Sequence, residues 1–147
     1  MSLRALPLMG LVLIAYNLVV FGGALFGATA PPGGEAGILR NIIFTVPMLS
    51  NPDGWSFSWG DLLILMLLVT LFVEIVKSTY TSTTAMVDHG LSMLVFVVCL
   101  IEFLMVRQAQ TSVFFFITVA ALIDVVAGYT IGIRVARRDI GFGGMGD

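Results

Sequence analysis

Four apolar stretches divide this chain, at about 6–28, 59–77, 84–106 and 112–134. A helix crosses the ~30 Å hydrocarbon layer of a bilayer with about 20 residues, and each stretch has that length. In lipid the backbone finds no water, so a spanning segment must close its hydrogen bonds within itself, as a helix does. The reading is therefore all-α: an integral membrane protein built as a bundle of four antiparallel transmembrane helices, one domain over residues 1–147. The links after the second and third stretches are short, which makes sequential helices antiparallel neighbours. Composition agrees. Charged residues are 11 % of the chain, whereas a soluble domain carries about 25 %. A soluble enzyme and a disordered regulator are excluded. The net charge of −2 leaves no basic footprint for nucleic acid.

The first stretch has the outline of a signal peptide, with Arg4 ahead of it and Ala28-Thr29-Ala30 behind it. Pro31 follows at once and stiffens the backbone where a peptidase needs an extended strand. The segment therefore reads as a retained span. Orientation follows from the cations. With the N-terminus inside, Arg4, Lys77, Arg134, Arg137 and Arg138 are cytoplasmic, and Arg40 and Arg107 are outside. That distribution satisfies the positive-inside rule and gives an N-in/C-in protein of the plasma membrane, the bacterial inner membrane in particular. Arg134, Arg137 and Arg138 form a basic collar where the fourth span leaves the lipid.

Residues 29–58 make an outer loop. Ile38, Leu39, Ile42 and Ile43 recur at helical spacing, which predicts a short interfacial helix at about 38–46, too short to span. Ser50-Asn51-Pro52-Asp53-Gly54 is dense turn chemistry. Trp55, Phe57 and Trp59 then alternate with small polar residues, and both tryptophans of the chain are among them. Indole prefers the headgroup layer, so these rings are interfacial anchors. Ser58 and Asp61 have the spacing of a capping box at the start of the second span.

Ionisable groups inside spans are costly, so each one is a candidate site. The intramembrane polar candidates are Asn17, Glu74, Asp88, His89, Glu102 and Asp124. Glu74 and Lys77, at i and i+3, are close enough to pair. Asp88 and His89 begin the third span on the same side, so Glu74, Lys77, Asp88 and His89 are expected in one polar patch. Asp88, Ser92, Val95, Cys99 and Glu102 share one face of the third helix, and that face should turn inward. Asp124 is about 15 Å up the helix from Arg134 at 1.5 Å per residue, near the bilayer midplane. Ala120, Gly128 and Gly132 share its face, and small residues let a second helix approach closely. A protonated Asp124 hydrogen-bonded to Asn17, or to Tyr16 or Thr70, would be neutral and satisfied.

Catalytic constellations are absent from the sequence. One histidine and one cysteine, His89 and Cys99, supply neither a bis-imidazole haem site nor a zinc site. No cofactor and no metal is expected. The expectation is a non-enzymatic accessory or structural subunit of a membrane complex, or a homo-oligomer. Its partners are the lipid bilayer and either a membrane protein or a second copy. The aromatic loop, the small-residue face around Asp124 and the eight methionines motivate it. The alternative is a small proton- or cation-coupled transporter or channel working as an oligomer.

Overall fold

The computed structural model describes residues 7–25, 37–79 and 85–142, with side chains throughout except at 24, 85, 86, 88 and 134–142. Four α-helices dominate the described residues: α1 (Leu8–Leu25), α2 (Trp59–Ser78), α3 (Ala85–Met105) and α4 (Ser112–Phe142). α2 and the Ser112–Ile133 part of α4 are long and apolar enough to cross a membrane. α1 and α3 contribute shorter apolar segments, Leu8–Gly23 and His89–Met105.

The segment between α1 and α2 corrects the sequence reading. No interfacial helix forms over 38–46. A single 3₁₀ turn, Gly37–Arg40, leads into strand β1 (Ile42–Met48), which pairs antiparallel with β2 (Asn51–Ser58). Helical spacing of Ile38, Leu39, Ile42 and Ile43 was a short-run coincidence. Ile42–Met48 is rich in β-branched residues and includes Pro47, which a strand at a sheet edge tolerates and a helix interior does not. Phe44 pairs with Phe57, Thr45 with Ser56 and Val46 with Trp55. The alternation Trp-Ser-Phe-Ser is thus the second half of a hairpin. Gly54 has φ +74°, and an added Cβ would stand 2.7 Å from the Val46 carbonyl oxygen, so glycine is required there.

β2 runs directly into α2 through the predicted capping box. The Ser58 hydroxyl accepts from the Asp61 amide at 3.3 Å, and the Asp61 carboxylate accepts from the Ser58 amide at 2.9 Å. The Trp59 amide donates to the Asn41 carbonyl at 3.2 Å and closes the hairpin base.

α4 packs chiefly against α3 and α2, and α1 chiefly against α2. The core gathers Met9, Val12, Tyr16, Leu63, Leu67, Cys99, Phe114 and Ile117. The stripe on α3 does turn inward, since Ser92, Val95 and Cys99 are buried. The outward faces are apolar at the same spacing: Leu11, Ile14, Leu18, Phe21 and Leu25 on α1, and Leu62, Leu65, Val69, Phe72 and Val76 on α2, are all exposed. The buried polar residues include Glu74, Ser92, Thr111, Thr118 and Asp124. The described helices are apolar outside and bury two carboxylates, Glu74 and Asp124, within, the reverse of a water-solvated helix bundle.

Candidate functional site

The end of α2, the beginning of α3 and the middle of α4 meet in a buried polar cluster. Each helix contributes by i, i+3 or i, i+4 spacing, which places residues on one face. α2 presents Glu74 and Lys77, whose ion pair measures 3.4 Å. The start of α1 joins them, because the Leu8 amide donates to the Glu74 carboxylate. α3 presents His89 and Ser92, and α4 presents Asp124, Gly128 and Gly132. The Ser92 hydroxyl hydrogen-bonds Asp124, and Glu74, Lys77 and His89 all lie within electrostatic range of that carboxylate.

His89 occupies the notch made by the glycines. An added Cβ at Gly128 would stand 2.5 Å from His89 Nδ1, against 3.5 Å between one at Gly132 and Nε2. The imidazole also stacks on Tyr129 at 5.8 Å between ring centres. The small-residue face therefore admits a side chain of α3, where the sequence suggested the approach of a helix backbone. Ala120, on the same face, is buried in the core.

Glu74 and Asp124 are only 5 % and 6 % exposed, yet they are served unequally. Glu74 has an amide and an ammonium. Asp124 has one hydroxyl, and its Oδ2 is buried with no hydrogen-bond partner. A buried carboxylate oxygen without a donor is costly as an anion, so this atom is the anomaly of the site.

Partners named from the sequence for Asp124 are engaged elsewhere. The Asn17 amide hydrogen-bonds Glu102, and Asn17 Oδ1 is buried without a partner. The Tyr16 hydroxyl donates to the Gln108 carbonyl at 2.8 Å and meets the Thr111 hydroxyl at 2.8 Å. Thr70 bonds back to the Met66 and Leu67 carbonyls, both at 2.9 Å. The reason is helix adjacency: Asp124 faces α3 and α2, while α1 has little contact with α4. Of the expected patch, Glu74, Lys77 and His89 join Asp124 in one cluster. Asp88 stands beside His89 on α3, with its side chain outside the described residues, as are those of Arg134, Arg137 and Arg138.

At the other end of the molecule, Trp55 and Trp59 are exposed and Phe57 is half-buried. Phe57 stacks on Phe44 at 4.8 Å and meets Trp55 edge-on at 5.6 Å. Beside the hairpin base is a recess of about 340 Å³ bounded by Leu39, Arg40, Ser58, Asp61 and Thr111, among others. No group of three or more metal-ligating side chains exists among the described residues. Compared with protein families, with characterised proteins and with solved structures, the chain matches none.

Proposed function

We propose that this chain is a small integral membrane protein of the plasma membrane, with α1 to α4 crossing the bilayer as an antiparallel bundle, N-in/C-in. The apolar outward stripes on the helices support that placement, because contiguous exposed apolar surface of this extent needs a lipid or protein cover. Within the membrane it acts as a non-enzymatic subunit. It docks to another membrane protein, or to a second copy of itself, through the β1–β2 hairpin.

One observation carries the docking reading: the hairpin is amphipathic and its apolar face is uncovered. Phe44 and Val46 on β1 and Trp55 on β2 lie on one face and are all exposed. Thr45 and Ser56 lie on the other, 3.4 Å apart. An isolated two-stranded hairpin is marginal in water and needs packing on one face. Tryptophan and phenylalanine are also the residues that anchor interfaces. The test is a photocrosslinking amino acid at Phe44 or Trp55 in membranes. A discrete heavier product, containing a second protein chain, is expected from these positions and not from Thr45 or Ser56. Products with lipid alone from every hairpin position would contradict docking.

A transport reading, in which oligomers move protons or cations, is favoured by a different observation, the unpartnered Oδ2 of buried Asp124. Flux in reconstituted vesicles that vanishes in a stable Asp124→Asn variant would establish it in place of the subunit reading.

A further inference from the structure

The two buried carboxylates of the cluster are unequally provided for, and the difference locates a proton. Glu74 accepts from the Leu8 amide and faces Lys77 Nζ at 3.4 Å, so it is suited to stay ionised. Asp124, one helix away and 6 % exposed, has the Ser92 hydroxyl and an orphaned Oδ2. Among the described side chains, the charged and titratable groups facing Asp124 are few. α2 brings Glu74 and Lys77, which answer one another, and α3 brings the His89 imidazole, wedged over Gly128 one turn further along α4. Tyr129 of α4 lies under that ring. α1 brings the Leu8 amide, which Glu74 takes.

We propose that this cluster is a proton-binding site, with one exchangeable proton held on the Asp124 carboxyl and Glu74 ionised against Lys77. A proton on Asp124 removes the second buried negative charge of a pair whose near ammonium, Lys77, already forms an ion pair with Glu74. Ser92 then donates to the carboxyl, and the wedge over Gly128 keeps the His89 ring beside it. Release of the proton leaves an anion that the cluster can satisfy only by moving a donor to Oδ2, so occupancy and local packing are linked. The site stands whether or not the hairpin docks a partner.

The experiment is infrared spectroscopy of the full chain in lipid nanodiscs, with thermal unfolding of every variant in parallel. The parent at neutral pH is expected to show the carbonyl band of a protonated carboxylic acid, shifted by exchange into heavy water. The band is expected to be lost in Asp124→Asn and kept in Glu74→Gln, with both variants folded. A parent without the band overturns the proposal, as does a band lost in Glu74→Gln but kept in Asp124→Asn. If Asp124→Asn fails to fold, the proposal is decided by the parent band and its persistence in Glu74→Gln.

Discussion

Two of the places where the described residues hold buried polar groups are built differently. At the corner between α3 and α4, the Tyr16 hydroxyl is fully used: it donates to the Gln108 carbonyl, while Thr111 also caps α4 by accepting from the Phe114 amide at 3.1 Å. The Tyr16 ring meets Phe114 edge-on at 4.7 Å. Polar atoms and apolar surfaces are satisfied together, and this corner ties α1 to the rest. In the cluster around Asp124, by contrast, one carboxylate oxygen is orphaned, and a histidine fills the space left by a glycine. A satisfied polar network fixes a fold, whereas a partly satisfied one stores an imbalance that a proton or a movement can relieve.

That contrast can be broken most forcefully at the glycine. Gly128→Leu would drive atoms into the His89 ring, and overpacking of this kind costs about 3 kcal/mol. Thermal unfolding in detergent should show the loss, and His89→Ala in the same chain should recover much of it. Gly132→Ala, where the ring is an ordinary contact away, should change stability by less than about 0.5 kcal/mol. Equal effects of alanine at 128 and 132 would mean that His89 is not seated as described.

Tyr16→Phe comes next. It leaves the Gln108 carbonyl and the Thr111 hydroxyl without their buried partner, at a cost of about 2 kcal/mol. Chemical unfolding should read this as a lowered midpoint with an unchanged slope. A neutral outcome would remove the distinction between the two polar regions.

Asp124 should respond more mildly and with a chemical signature. Asp124→Leu leaves the Ser92 hydroxyl unpaired and should cost about 1 kcal/mol. Asp124→Asn keeps size and polarity, so its effect on unfolding should stay within about 0.5 kcal/mol. If Asn costs as much as Tyr16→Phe does, the carboxylate is a strut like the tyrosine. The smallest effect is expected in the hairpin: Trp55→Ser should leave unfolding of the helices within about 0.5 kcal/mol of the parent while abolishing the crosslinked product.

Much of this was legible in the sequence. The four helices follow from apolar stretches, and the inward face of α3 from the spacing of Ser92, Val95 and Cys99. The capping box followed from Ser58 and Asp61. The hairpin was missed although its parts were visible. Turn chemistry at 50–54 and the alternating aromatics are a strand signature, but Ile38 to Ile43 also fits a helical period, and only pairing with β1 decides between them. The partners of Asp124 lie on other helices than expected: it bonds Ser92 of α3 and lies near Glu74 of α2, not Asn17 of α1. Adjacency of this kind is set by packing between helices, which no single stretch encodes. The hint that remained was the series Asp124, Gly128 and Gly132 opposite a lone histidine, which is a socket and its occupant.

The proposed function rests on four helices crossing a membrane, and side-specific cysteine labelling tests that crossing directly. Single cysteines are placed at Ser50, in the hairpin turn, and at Gly144, near the C-terminus, with buried Cys99 as the silent background. Intact cells are treated with an impermeant maleimide before and after opening. An N-in/C-in bundle predicts that Ser50→Cys is labelled in intact cells and Gly144→Cys only in opened ones. Labelling of both positions from the same side would contradict it.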